Sequence, residues 1–405
     1  THTPPTSMAC VPGMKTTDGK PLVFMGAFVA EGGHGLQWLL EDGTKLGGQG
    51  WVGGTWTGAP TLAVDLGSKA VADHLCYVGS TWEGELRITA KTRAFGDQPV
   101  LKLKLGDKVD ARRRKPTDPP LPPELVGFDG GDKQFVLAGI AARDGLLICS
   151  LVRQNELLVV DIAGGKITKR IPLANPRGVH FDAEGRLLAL SENRLVRFAS
   201  LDAKPETIVS AQLDDPRHIA LDAAGNVSIS DRGAAHQIKQ FSSTGKPMSK
   251  IGKPAVPTVG TYDPLHMNNP NGLAVDSQGR LWVAEADNYP RRVSVWLAEG
   301  KLDRAFYGPT EYGGGGTLDP QDPSRFYYKG LEFALDWKSG TDRLVRVYAR
   351  PDELLHAHYG HYSPDTPLYP AAASQLARRY FTSCYTHTPT GGDHVAFLWL
   401  DGPQE

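Results

Sequence analysis

The hydrophobic and polar positions of this chain follow a short period that returns along its length. The segment Asn175 to Asp182 superimposes without gaps on Asp215 to Asp222 and on Asn269 to Asp276. Within each, Val179 and Phe181, Ile219 and Leu221, Leu273 and Val275 alternate with smaller or polar residues, the period of two that a pleated strand requires. An Asp closes each run, and Gly185, Gly225 or Gly279 follows three residues later. That pairing predicts a tight turn, because Asp can accept backbone N–H groups and Gly can take φ > 0. A second strand is expected at Arg186 to Leu190, Asn226 to Ser230 and Arg280 to Ala284. A third is expected at Arg194 to Phe198, Gln237 to Phe241 and Arg292 to Trp296. The unit is a meander of short strands repeating at about 40 residues plus an insert.

One such sheet cannot bury both of its faces. Stacking successive sheets around an axis buries them all, so the repetition predicts an all-β propeller of four-stranded blades. Weaker copies extend the array. They run from Ala59 to Asp65 with His74 to Val78 and Glu85 to Ile88, and from Phe135 to Ile140 with Leu146 to Leu151 and Glu156 to Ile162. After Gly308 come Leu331 to Asp336, Arg343 to Tyr348, Arg379 to Cys384 and His394 to Leu400. Gly26 to Trp56, rich in Gly and Trp, is read as a terminal blade. The expected count is about seven blades, within six to eight, in one domain over residues 21–405 preceded by an N-terminal extension over 1–20. A Pro-rich loop or linker is expected near 107–124, since Pro lacks the N–H donor and fixes φ. An insert is expected near 351–378, with short helices at Pro351 to Leu355 and Ala371 to Arg379.

Composition narrows the classes. Hydrophobic residues make up 40% of the chain and charged residues 22%, which suits a globular protein with a substantial core. The net charge of −1 supplies no global field for nucleic acid or an anionic membrane, and the basic run Arg112 to Lys115 falls in the Pro-rich stretch. No apolar run reaches the roughly 20 residues needed to span a bilayer. The sequence begins at Thr1 without an export signal, and the expectation is a protein that works outside the cytoplasm, secreted or periplasmic. Four cysteines are too few for a disulfide framework. Cys149 reads as a buried core thiol, a pair among Cys10, Cys76 and Cys384 stays open, and the absence of CxxC argues against a thiolate zinc site. No Gly-x-Ser-x-Gly elbow supports a serine hydrolase.

These segments resemble the NHL repeat: a Pro-x-Gly-hydrophobic-Ala-Val-Asp strand, a Gly turn, an aromatic-rich strand, and an Asn/Asp loop before a Val/Phe strand. Asn269 to Trp296 is the fullest match; the match over 175–252 is looser. Such propellers include enzymes, ligand binders and interaction platforms. Pro270-Asn271-Gly272 is similar to the strand start that supplies an Asn metal ligand in gluconolactonase-like hydrolases, although Arg177 and Arg217 stand at the corresponding places and would repel a cation. Pro216-Arg217-His218-Ile219 is similar to the His-bearing strand starts that hold axial zinc in peptidylglycine amidating lyases, with the His one residue later and Gly178 and Gly272 at the equivalent places. The resemblance therefore implies Ca or Zn as the candidate cofactor, with His218 and His266 as candidate ligands; the residues alone demand none.

By repeat alignment, Arg177, Arg217, His218 and Asn271 fall at the starts of the innermost strands, at the channel mouth. Together they form a polar cup for an anionic or hydroxyl-rich ligand, since the Arg fork suits carboxylates. Hydrogen bonding to neighbouring blades is the alternative role. His180 is expected between blades as a satisfied core histidine. Glu285 and Asp287 are candidates for ligand contact or acid/base work, against a turn-organising role. Tyr262 and His266 in the insert before the third copy, and Tyr312 in the one after it, suit sugar stacking or metal binding. His356, His358 and His361 permit chelation, although exposed loop histidines are the preferred reading. The expected function is non-catalytic binding of a small polar molecule, a glycan or a protein segment at the axial face. The alternatives are a metal-assisted hydrolase or lyase, and a protein-assembly scaffold.

Overall fold

The computed structural model describes residues 4–15, 20–27, 35–54, 60–82, 84–106, 136–258, 260–286, 290–308, 317–319, 322–328, 331–347, 362–367, 379–385 and 396–401. Blade 1 is β1 (Pro5–Lys15), β2 (Pro21–Ala27), β3 (Leu36–Leu40) and β4 (Lys45–Gln49), and blade 2 is β5 (Thr61–Ala63), β6 (His74–Trp82), β7 (Glu85–Thr92) and β8 (Asp97–Lys104). Blade 3 is β9 (Leu137–Arg143), β10 (Leu146–Leu151), β11 (Glu156–Asp161) and β12 (Lys166–Pro172), and blade 4 is β13 (Pro176–Phe181), β14 (Leu187–Ser191), β15 (Arg194–Phe198) and β16 (Glu206–Val209). Blade 5 is β17 (Pro216–Leu221), β18 (Val227–Asp231), β19 (Gln237–Phe241) and β20 (Pro247–Ile251). After β21 (Gly260–Thr261), blade 6 is β22 (Pro270–Val275), β23 (Leu281–Glu285), β24 (Arg292–Trp296) and β25 (Leu302–Tyr307). Each blade is an antiparallel sheet whose strand order follows the chain.

The first strands of the blades neighbour one another in a closed ring, β1, β5, β9, β13, β17, β22 and again β1. The structure is thus the expected β-propeller, and its ring holds six blades, inside the expected range. The core confirms the count by its own division. Six hydrophobic clusters each join one pair of adjacent blades, and the last pairs Ala274, Trp282, Ala284 and Val295 of blade 6 with Met8, Cys10 and Val23 of blade 1. Second strands such as β14, β18 and β23 are buried at every position. Their alternate side chains serve opposite seams: Leu187 and Ala189 face blade 3, while Leu188 and Leu190 face blade 5. A strand covered on both faces is mostly apolar, and the polar residues these strands carry, such as Ser230, Asp231 and Glu285, are buried as well.

The predicted turns form as written. Gly185, Gly225 and Gly279 have φ of 82°, 78° and 78°. The carboxylates of Asp182, Asp222 and Asp276 accept the backbone N–H of Arg186, Asn226 and Arg280 at 2.8, 2.8 and 2.9 Å.

Three expectations change. Residues 5–15 are not an extension but the innermost strand of blade 1, whose run of Met8 to Val11 is buried between blades 6 and 2. The later segments do form strands, yet outside the ring. A five-stranded sheet joins β21 to β29 (Thr341–Val347), β28 (Leu331–Asp336), β27 (Arg325–Tyr328) and β26 (Thr317–Leu318), packing Leu331, Phe333 and Leu344 onto Tyr262 and Tyr307 beside blade 6. A three-stranded sheet follows, of β30 (Tyr362–Pro367), β31 (Arg379–Tyr385) and β32 (Ala396–Asp401), so a strand occupies part of the expected insert. The Pro-rich stretch over 107–124 and the expected helix at 351–355 lie outside the described residues, as does the one at 371–379 except for Arg379, which opens β31. Cys10, Cys76 and Cys149 are buried free thiols, and no helix among the described residues is long and apolar enough to cross a membrane.

Candidate functional site

The innermost strands of blades 4 to 6 share one irregularity. Pro176 pairs with Ser191 and Val179 with Ala189; Pro216 pairs with Asp231 and Ile219 with Ile229; Pro270 pairs with Glu285 and Leu273 with Val283. Three steps on the inner strand oppose two on its partner, which is a β-bulge, a device that re-aims side chains. The bulged residues are Arg177-Gly178, Arg217-His218 and Asn271-Gly272. Gly178 and Gly272 keep the ring tight: a Cβ at Gly178 would stand 2.7 Å from the His218 Cα, and one at Gly272 would stand 2.3 Å from the Ser7 Cα.

The bulges line the mouth of the axial channel, a cavity of about 710 Å³ bounded by Thr6, Thr61, Arg153, Asn155, Asn175, Arg177, Arg217, His218, Arg232 and Asn271, with Val136, Leu137, Ala138 and Val152 as an apolar wall. The four sequence-derived mouth residues therefore converge. Arg217 donates to one carboxylate oxygen of Asp215, Oδ2, from Nε at 3.0 Å and from Nη2, and Arg177 lies 3.8 Å from the other, Oδ1. Asn271 uses both ends of its amide: Nδ2 donates to the Thr6 carbonyl at 2.6 Å and Oδ1 accepts from Arg232 at 3.1 Å. The His218 N–H of the backbone donates to Ser230 Oγ at 3.0 Å, and Ser230 Oγ donates to the Asn271 carbonyl at 2.6 Å.

Burial and the flanking Arg232 and Arg217 push the His218 imidazole down to about 4, against a hydrogen bond to the Ala138 carbonyl that pulls the other way. It is therefore neutral near pH 7. Burial, followed by the Arg217 charge, also draws Arg177 below the usual guanidinium range, with Asp215 opposing. Among the described lining residues are four guanidiniums and no carboxylate.

Other candidates take structural places. Glu285 is wholly buried; it accepts from the Asn268 N–H at 2.9 Å and from Ser294 Oγ at 2.8 Å, and pairs with Arg292 at 3.4 Å. It pins the loop before β22, as Asp231 pins the loop before β17 by accepting from the Asp215 N–H at 2.6 Å. Glu285 thus takes the turn-organising place of the two weighed for it. Tyr262 is buried, with its hydroxyl 3.5 Å from that of Tyr307, and carries the outer sheet rather than a ligand. His266 does not join His218: it lies outside the cup lining, with Nδ1 3.0 Å from the Ala255 carbonyl and Nε2 3.9 Å from Asp263. Among the described residues no three His, Cys, Asp or Glu gather as a metal site. His180 borders a smaller cavity of about 200 Å³ deeper in the channel, 2.7 Å from the Phe181 carbonyl. Asp287, Tyr312, His356, His358 and His361 lie outside the described residues.

Repeat alignment missed Arg232, Arg153, Asn155, Asn175 and Thr61. Arg232 follows β18, one strand out from the axis, and only its length brings it to the cup. Asp215 was legible as the residue before Pro216, but not as the partner of two arginines.

No protein-family model matches the chain, and no curated protein matches it. Solved structures do. A chain of a nidogen/laminin complex is 16% identical over 71% of this chain and 93% of that one, with a TM-score of 0.47. A Lactobacillus plantarum protein is 14% identical over 82% and 97%, with a TM-score of 0.48. The virginiamycin B lyase of Staphylococcus aureus is 14% identical over 84% and 94%, with a TM-score of 0.40.

Proposed function

We propose that this chain is an NHL-type propeller, working outside the cytoplasm, that binds a polar ligand bearing an anionic group at its axial mouth and does not transform it. A glycan or a protein segment would serve. The observation that carries the reading is the cup itself: four arginines around about 710 Å³, with no carboxylate among the described lining residues, in a protein whose net charge is only −1. Positive charge gathered at one concave mouth, against a nearly neutral whole, focuses the field there. The volume lies within the range of ordinary ligand pockets. The NHL assignment rests on the Asn269 to Trp296 pattern.

A divalent cation does not suit this donor set. The Asn271 amide is spent on Thr6 and Arg232, and among the described lining residues His218 is the one imidazole and the other charged side chains are arginines. No hydrolytic step is derived from it.

Isothermal titration of the purified protein with anionic ligands and matched neutral ones tests the reading. Anions are expected to bind, and Arg177→Gln with Arg217→Gln should weaken them by about 3 kcal/mol, or two orders of magnitude, the loss of two charge-assisted contacts. Equal affinity for the charged and neutral members of each pair would refute it. Metal analysis after native purification should find no stoichiometric divalent ion.

A further inference from the structure

The cup is uneven around the ring. Its guanidiniums come from the sector of blades 3 to 5, as Arg153, Arg177, Arg217 and Arg232, while blades 1, 2 and 6 contribute Thr6, Thr61 and Asn271. The charged sector already holds a carboxylate. Asp215 engages Arg217 through Nε and Nη2 and stands 3.8 Å from Arg177. The Asp215 backbone is fixed separately, its N–H donating to Asp231 at 2.6 Å and its carbonyl accepting from the Arg232 N–H at 3.0 Å. Its side chain is 32% exposed and can yield its place without unfolding the loop. One carboxylate shared by two guanidiniums leaves the pair under-neutralised.

The neighbouring groups narrow the chemistry. Thr61 is 4% exposed and borders the cavity, and its hydroxyl has no hydrogen-bond partner among the described residues. A buried polar group in that state needs a partner from elsewhere. Asn155 and Asn175 also border the cavity, with Asn155 Oδ1 accepting the Asn175 backbone N–H at 2.8 Å. Side-chain amides offer a donor and an acceptor together, the complement of a peptide unit. Among the described residues no Phe, Tyr or Trp lines the cup, while Val136, Leu137 and Val152 give a short apolar wall for a side chain.

We infer that the cup captures an acidic peptide segment, with an Asp or Glu carboxylate seated between Arg177 and Arg217 in competition with Asp215, and the peptide backbone against Asn155, Asn175 and Thr61. This rests on the anion-binding reading of the cup and specifies it. Asp215 is the resident counter-anion: it partly neutralises the pair when the cup is empty, and a ligand carboxylate must displace it.

The test is fluorescence anisotropy with a labelled hexapeptide containing two Glu, the same peptide with Gln, and a galacturonate trisaccharide as competitor, on the wild type, Asp215→Asn, and the Arg177→Gln/Arg217→Gln double variant. The Glu peptide should bind at least about tenfold tighter than the Gln peptide, since bidentate charge-assisted bonds are lost in the latter. Asp215→Asn should tighten the Glu peptide by about fivefold or more as the counter-charge is removed, and the double variant should abolish the preference. Asn keeps the backbone bonds at 215, and unchanged melting of the variant verifies the fold. Binding of the galacturonate trisaccharide without the Glu peptide would overturn the peptide assignment and leave the anion reading standing. Weaker peptide binding by Asp215→Asn would overturn the competition. No binding of either anion to any form would remove both inferences together.

Discussion

At the scale of single residues, the same motif costs and contributes differently according to its surroundings. Asp182, Asp222 and Asp276 close equivalent turns, yet Asp222 serves an exposed loop while Asp276 also accepts from Arg280 Nε at 2.7 Å and Trp282 Nε1 at 2.8 Å inside the core. His218 shows the same dependence. Its folded value near 4 lies below the ordinary 6.5, so between those two pH values the unfolded chain binds more protons than the folded one. Stability must then fall as pH drops through that window and be fully present above it. His180, also lowered by burial, acts in the same direction. Urea denaturation at stepped pH should show this slope, and His218→Gln, which can still donate to the Ala138 carbonyl, should reduce it without removing the His180 share. An unchanged slope in the variant would show that His218 is not the group responsible. None of this was legible in sequence, where His218 differs from Gly178 and Gly272 only as an exception to the repeat.

Among elements, the bulged inner strand couples blade packing to the site. The extra residue turns Arg177 and Arg217 toward the axis, and the glycine after Arg177 lets β13 approach β17. Gly178→Ala would place its Cβ 2.7 Å from the His218 Cα and 2.8 Å from the Arg217 carbonyl oxygen, both backbone atoms. A shift of the two strands is expected, costing about 1–3 kcal/mol, the usual price of overpacking, together with weaker anion binding because Arg217 moves with its strand. Equilibrium unfolding and titration measure the two effects side by side; stability loss with intact affinity would mean that the strand yields without disturbing the cup. The repeat pattern announced a glycine at this place but could not say what it faces, because the neighbour comes from a different blade.

For the whole molecule, ring closure is the element that the chain cannot secure locally. Each blade is made from one continuous segment, so no strand is exchanged between blade 6 and blade 1. The seam is held by its apolar cluster and by Glu41. Its carboxylate accepts from the Ser277 N–H and hydroxyl, both at 2.9 Å, and lies 3.7 Å from Arg280. Both Glu41 and Arg280 are buried. Glu41→Ala should therefore cost about 3–5 kcal/mol, as removal of one partner from a buried pair does. Glu206→Ala, which breaks the exposed pair with Arg197, should cost less than about 1 kcal/mol. Urea denaturation compares them, and similar small losses in both would show that closure does not depend on this contact.

The sequence by itself determined the blade: alternation, the Asp-to-Gly turn and the apolar second strand are local, and period-2 pleating turns them into sheets without reference to distant residues. It also placed Arg177, Arg217, His218 and Asn271 at the mouth, since they occupy one register of one repeat. Tertiary structure alone decided how many sheets close the ring, because the outer sheets carry the same strand signal as blades and differ only in what they pack against. It decided that residues 5–15 are an inner strand, since their partners lie in blades 6 and 2. It also decided the roles of the acids near the mouth: Glu285 ends β23 and Asp215 precedes β17, and only the packing around them makes one a buried pin and the other a carboxylate beside two arginines.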